Sequence, residues 1–191
     1  MEKAYWTERY SRGGTSGQGS VGMLRVMKWN IISKHVSPLD HVIDVGCGDL
    51  RFWQGKDCED YTGIDIVESV IRANKIERPT WKFICSPAEE KIVGLSNKNV
   101  ICLDVLFHIM DDDKFRMIVK NLCEYAEEML FIYTWARNPF APNVTDGKYQ
   151  YYRDVMNEMH VFSNYGFRLL NAHWSHFDPY GCMYVFKTRS L

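Results

Sequence analysis

Two short patterns in this sequence have the residue types that hold a nucleoside. Val45-Gly46-Cys47-Gly48-Asp49 follows directly on the apolar run His41–Val45. Small residues at that place let backbone approach a ligand at the edge of a sheet. Nineteen residues beyond Gly46 stands Asp65, near the end of a second apolar run, Tyr61–Ile66. A carboxylate at a strand tip can accept hydrogen bonds from both ribose hydroxyls, although it can also cap the helix that follows. The two features together are more specific than either alone. A dinucleotide loop needs a third glycine in G-x-G-x-x-G, and here that position is Arg51, whose side chain would obstruct both helix–strand packing and a pyrophosphate. The spacing points to a nucleoside ligand without a pyrophosphate.

The elements that must position these residues alternate along the chain. Short apolar runs at 41–45, 61–66, 81–85, 99–103 and 129–133 read as buried strands. Helical segments are expected between them, at 67–76 and after Asp111–Asp113. There Phe115, Ile118, Val119 and Leu122 recur at i, i+3, i+4 and i+7 behind an acidic start. An earlier helix is expected after Ser20, its plausible cap, with Leu24, Met27 and Ile31 on one stripe, ending near Pro38. Strand–helix alternation implies right-handed crossovers and a parallel sheet covered on both faces. The ending differs: residues 150–164 read as helix, and 167–174 and 180–187 as strands joined by a turn of about five residues, which suits a hairpin. Residues 11–22 are too rich in glycine for a helix or strand interior and read as a flexible leader or a segment folding over a ligand. The expected class is an α/β sandwich in one domain, residues 1–191.

Composition narrows the function. The 191 residues carry 23 basic and 24 acidic side chains, a net charge of −1, which argues against a strongly electrostatic nucleic-acid or anionic-membrane binder. The amino terminus has no apolar signal segment, and no window matches a membrane span. Six cysteines (47, 58, 85, 102, 123 and 182) form no C-x-x-C pair, so a zinc or redox motif is unsupported and a reduced, cytoplasmic protein is expected.

Read together, these segments resemble the class I S-adenosylmethionine-dependent methyltransferases. Val42–Asp49 is similar to the family's first motif, Tyr61–Asp65 to its second, Trp81–Glu89 to its third and Ile101–His108 to its fourth, in family order. The leader from Trp6 to Ser20 is similar to that of small stand-alone microbial members. The resemblance implies a doubly wound, mostly parallel seven-stranded sheet with an antiparallel C-terminal hairpin, the Rossmann-like methyltransferase fold. It implies S-adenosylmethionine as cofactor, with Asp44, Gly46, Cys47 and Gly48 holding its methionine end through backbone amides and the Asp44 carboxylate. Asp65 would take the ribose diol and Ile66 would lie beside the adenine. Pro87 stands where many relatives place an acidic residue, which leaves adenine recognition to backbone or to Ser86, with Ala88 beside it. Cys102, Leu103 and Asp104 would line the floor near the sulfonium. The chemistry needs no metal, since the sulfonium already activates the methyl group.

On the acceptor side the resemblance leaves two groups able to deprotonate a hydroxyl, His108 and Asp104; His108 reads more readily as a packing histidine that shapes the loop. Residues 134–155 would lie over the acceptor, with Arg137 and Arg153 able to pair with an anion among Trp135, Tyr149, Tyr151 and Tyr152. Residues 1–20 would act as a lid, with Tyr5, Trp6, Arg9, Tyr10 and Arg12 walling the acceptor pocket. His173 and His176 are expected to be structural. The expected acceptor is a small molecule. A non-catalytic binding or partner module and a nucleic-acid or protein methyltransferase stay open, although Leu103-Asp-Val-Leu106 lacks the D/N-P-P-Y/F signature of base amino-methylation.

Overall fold

The computed structural model describes residues 2–136, 149–153 and 155–189. Its centre is one sheet in the order β3-β2-β1-β4-β5-β7-β6. The strands are β1 (His41–Val45), β2 (Asp60–Asp65), β3 (Lys82–Cys85), β4 (Asn97–Leu103), β5 (Ala126–Trp135), β6 (Phe167–Trp174) and β7 (Gly181–Thr188). The first five pair in parallel, while β7 inserts antiparallel between β5 and β6. Residues 175–180, too few for a crossover, force that last reversal.

Both faces are covered, which is why the central strands read as apolar runs without polar alternation. On one face Val42, Ile101, Phe131 and Val185 pack against Ile31 and Ile32 of α2 (Gly22–Ser33) and Ile71 of α3 (Glu68–Glu77). On the other, Ile43, Val100, Leu130 and Ile132 meet α4 (Asp112–Tyr125) and Phe162 of α5 (Met159–Asn164). The acidic start of α4 is a true cap: Asp111 accepts from the amides of Asp113 and Lys114. Chain order reverses between β1 and β4, so the loops leaving their carboxyl ends splay apart and open a crevice.

Two local expectations need correction. Ser20 does not cap α2; it closes a single 3₁₀ turn, Gln18–Ser20, and Val21 takes the cap position with no side-chain bond. Residues 150–153 are not helical, because the Tyr151 amide donates to the Phe107 carbonyl and Arg153 to those of Ile109 and Met110; only a 3₁₀ turn, Val155–Glu158, and α5 follow. A further helix that the sequence reading did not include, α1 (Glu2–Ser11), precedes the glycine-rich stretch. Among the described residues, no helix is long and apolar enough to cross a membrane.

Candidate active site

A cavity lies at the carboxyl edge of β1, β2 and β4. Asp44, Gly46, Cys47 and Gly48 line it from the first strand and its loop, Asp65 and Ile66 from the second. Ser86, Ala88, Leu103, Asp104 and His108 complete the sheet side, and Trp6, Tyr10, Ser16 and Ser20 of the leader close it above. Eleven of the twelve site residues expected from the sequence therefore share one space. The exception is Cys102: its side chain is fully buried on the α4 face with Leu106 and Ile132 and does not line the cavity. Strand alternation explains the correction, since Leu103, one residue on, points the other way.

The glycine loop is already hydrogen-bonded. The amides of Gly46 and Cys47 both donate to the Ile64 carbonyl (2.8 and 3.0 Å), and that of Gly48 to Asp65 Oδ2 (3.0 Å). The expected grip on a methionine end through those three amides is corrected accordingly: each is spent on holding the loop against β2. Gly46 and Gly48 have φ of 82° and 52°, and a Cβ on Gly48 would stand 2.2 Å from Ser16 Oγ. Gly48 is thus the point where the leader touches the loop. Ser16 Oγ donates to Asp49 Oδ1 (2.5 Å) and accepts from the Asp49 amide (3.1 Å), and Tyr10 hydrogen-bonds Ser16.

Two carboxylates face this cavity from the sheet. Asp44 Oδ2 accepts from Trp53 Nε1 (2.8 Å) and Tyr61 OH (2.9 Å), so both donors fall on one oxygen. Burial pushes the Asp44 carboxyl up to about 6 despite those bonds. Asp65 uses Oδ1 on the Val67 amide and Oδ2 on that of Gly48. It therefore steadies both the turn into α3 and the glycine loop; burial raises it above the usual carboxylate range. A carboxylate has about four acceptor sites, so two remain for a diol. Among the described residues neither Lys nor Arg lines the cavity, whereas Asp44, Asp65, Glu89 and Asp104 all do.

Asp104 has a partner that the sequence reading missed. Lys28 of α2 is fully buried, its Nζ bonded to Asp104 Oδ2 and to the Gly19 carbonyl (2.9 Å) and set 3.8 Å from the centre of the Tyr133 ring. Burial lowers the Lys28 ammonium and the Asp104 carboxylate counters that shift. Asp104 sits at φ 62°, a left-handed backbone that aims its side chain at this lysine. The ion pair thus engages Asp104 Oδ2 with a buried cation of α2. A signal was present: Lys28 lies four residues from both Leu24 and Ile32 on the apolar face of its helix, a place for a lysine only if paired.

A second cavity adjoins the first, and Trp6, Ser16, Asp104 and His108 line both. Its further walls are aromatic, with Tyr5, Phe107, Trp135 and Phe177. Phe107 and Trp135 stack at 4.5 Å and 8°. His108 Nδ1 lies 2.7 Å from the Tyr149 carbonyl, and its ring meets Trp6 edge-on at 5.0 Å. A carbonyl only accepts, so Nδ1 carries the hydrogen and Nε2 is the basic nitrogen of the neutral ring. Tyr5 stacks on Tyr149 at 4.4 Å, joining α1 to the 149–153 segment. Arg153 does not face an acceptor. It is buried, ion-paired with Asp112 (2.7 Å), bonded to two carbonyls and packed on Phe115. Arg137 lies outside the described residues.

The sheet order and the terminal antiparallel strand define the class I S-adenosylmethionine-dependent methyltransferase fold. No family model matches the chain, and no curated protein does. Among solved structures the chain is similar to magnesium protoporphyrin IX methyltransferase from Synechocystis PCC 6803 with bound S-adenosylhomocysteine. That likeness has 17% identity, a TM-score of 0.70 and 98% of each chain covered. It is similar to the methyltransferase domain of bacterial CtHen1-C (18%, 0.68, 88% of this chain and 100% of that one). It is also similar to the N-methyltransferase NodS of Bradyrhizobium japonicum WM9 with S-adenosylhomocysteine (10%, 0.65, 87% and 88%). At these identities the likeness establishes the fold.

Proposed function

We propose that this chain is a methyltransferase that binds S-adenosylmethionine in the first cavity and transfers its methyl group in line to a small-molecule acceptor in the second. The observation that carries this reading is the pair of carboxylates at the strand tips: Asp44 and Asp65 line the first cavity with no ion-pair partner, and among the described residues no Lys or Arg lines it, Asp104 and Glu89 being paired with Lys28 and Lys114. Such a lining favours a cation and repels a pyrophosphate. Three solved structures of this fold, the two with bound S-adenosylhomocysteine among them, are of methyltransferases, which supports the same assignment.

In this reading the remaining acceptor sites of Asp65 take the ribose hydroxyls, and Ile66, Ser86 and Ala88 border the adenine. With the loop amides engaged, and the Cys47 and Gly48 carbonyls accepting from the Leu50 amide and from Asn74 Nδ2, Asp44 is left to receive the methionine ammonium. When bound, the cofactor supplies a methyl group already activated by its positive sulfur. The chain aligns the acceptor and excludes water. Asp104, held by Lys28, ties the leader to the floor between the two cavities. His108 is a positioning residue there, joining Trp6, Phe107 and the Tyr149 carbonyl into one wall. The six cysteines are all unpaired, which fits a reducing compartment, and we place the protein in the cytoplasm.

The test is incubation with methyl-labelled S-adenosylmethionine and a cell extract, followed by separation by size. Label is expected in the small-molecule fraction. Label in nucleic acid or protein would contradict the acceptor class, and binding without any transfer would make the chain a cofactor-binding module.

A further inference from the structure

Resting on the methyltransferase reading, we propose that the acceptor is a planar aromatic acid whose carboxylate pairs with Arg9. The second cavity offers rings for its body. Trp6 stands on the leader side and the stacked Phe107–Trp135 pair on the sheet side. Phe177, at the tip of the hairpin, leaves 52% of its surface exposed beside them. A large apolar ring left half uncovered next to other rings suits a flat ligand, since offset stacking uses faces that the protein does not fill.

The charges decide what else that ligand carries. Two carboxylates line the cavity, and both are occupied. Asp104 is paired with Lys28. Asp178 accepts from Tyr133 OH (3.1 Å) and Trp135 Nε1 (3.0 Å) through Oδ2 and from the Tyr180 amide (3.1 Å) through Oδ1. Arg9 differs. Its Nε donates to the Thr15 carbonyl (2.7 Å) and its guanidinium lies 5.7 Å from the Trp6 ring centre. Among the described residues no carboxylate pairs with it. The Nε bond fixes the side chain and leaves the terminal nitrogens as a planar fork, the geometry that matches a carboxylate. Arg153, the other described arginine near this side, is consumed by Asp112. Among the described residues Arg9 is the one Lys or Arg on this lining, and its terminal nitrogens carry no hydrogen bond, whereas the Asp178 charge is met by three neutral donors. Trp6 touches both the Arg9 guanidinium and the His108 ring, so a ligand lying on the indole reaches from the cation to the wall of the cofactor cavity. The carboxylate is therefore the anchored end, and the methyl-accepting atom is the opposite one.

The test uses matched probes, the acids benzoate, 4-hydroxybenzoate, 4-hydroxycinnamate and 2-naphthoate and the corresponding amides. Each is titrated calorimetrically into the protein with and without saturating S-adenosylhomocysteine. At least one acid is expected to bind about 10- to 100-fold more tightly than its amide, the worth of a charge-assisted pair. In Arg9→Gln that preference should vanish while Arg9→Lys keeps part of it. Amides binding as well as acids, no acid binding at all, or an unchanged preference in Arg9→Gln would overturn the proposal. Failure of S-adenosylhomocysteine itself to bind would instead sink the methyltransferase reading beneath it.

Discussion

The two halves of the site are built by different means. The cofactor half is made by the sheet: Asp44, the glycine loop, Asp65 and Leu103 all sit at or just past the ends of β1, β2 and β4. Its hydrogen bonds are short and local to neighbouring strands. The half proposed for the acceptor is made by segments that meet only in the folded chain: α1, the turn at Leu106–His108, residues 149–153 and the hairpin tip. Rings and one buried ion pair hold it together. A parallel sheet fixes strand ends to within fractions of an ångström, so the half with a constant ligand rests on it. The half that must suit a particular acceptor rests on loops, which can change without disturbing the core.

Removing the ion pair should have the largest effect. Lys28→Met leaves the Asp104 charge unpaired beneath the leader, and about 3–5 kcal/mol of stability should be lost. That corresponds to a fall of about 10 °C in melting temperature for a chain of this size. Adding Asp104→Asn to that variant should recover much of the loss, because no charge is then stranded. Equal melting of Lys28→Met and the parent would show that the leader is not clamped as described.

The next effect belongs to the cofactor half alone. Asp65→Ala removes charge-assisted bonds worth about 1.5–3 kcal/mol each, so S-adenosylhomocysteine affinity should fall on the order of 10- to 100-fold. Circular dichroism should report an intact fold. Parent-like affinity would leave Asp65 as a brace for Gly48 and Val67 only.

Asp44 makes the cofactor half sensitive to pH. Its carboxyl is raised to about 6 in the fold from about 3.9 unfolded. Between those values the folded chain holds a proton that the unfolded chain lacks. This group therefore stabilises the protein by up to about 3 kcal/mol at low pH, and that contribution is lost as pH rises through about 6. Asp44→Asn, which keeps an acceptor for Trp53 and Tyr61, should flatten that limb of the stability curve and melt higher than the parent at pH 7. Ligand binding should run the opposite way. An ammonium needs the ionised carboxylate, so S-adenosylhomocysteine affinity should weaken by up to about tenfold per pH unit below 6. A pH-independent affinity would remove Asp44 from the cofactor contacts.

The smallest effect is expected at His108. As a positioning residue, His108→Ala should lower the melting temperature by a few degrees and turnover only modestly. Loss of roughly 10²–10⁴-fold in turnover at unchanged stability would make it a general base instead.

The contrast between the halves also explains what could be read from the sequence. Gly46, Gly48 and Asp65 announce themselves because strand, loop and strand tip follow one another within nineteen residues. The places of the strands, the acidic start of α4 and the terminal hairpin were legible for the same reason, each being set by local pattern, although β4 and β5 begin two and three residues before their apolar runs. Engagement of the loop amides was not, since it depends on the register of β1 against β2. Arg153 looked like a ligand for anions, yet its partner Asp112 lies forty-one residues away. Lys28 and Asp104 are separated by seventy-six, and only the misplaced polarity on the face of α2 hinted that such a partner had to exist. Cys102 failed through strand alternation, a one-residue matter that motif matching does not see.

On this account the cavity at the carboxyl edge of the sheet takes a nucleoside thioether or sulfonium and not a dinucleotide. Isothermal titration of the full chain with S-adenosylhomocysteine and, separately, with NAD tests it directly. Micromolar binding of S-adenosylhomocysteine with no heat from NAD is the predicted result, and tight NAD binding with no response to S-adenosylhomocysteine would contradict it.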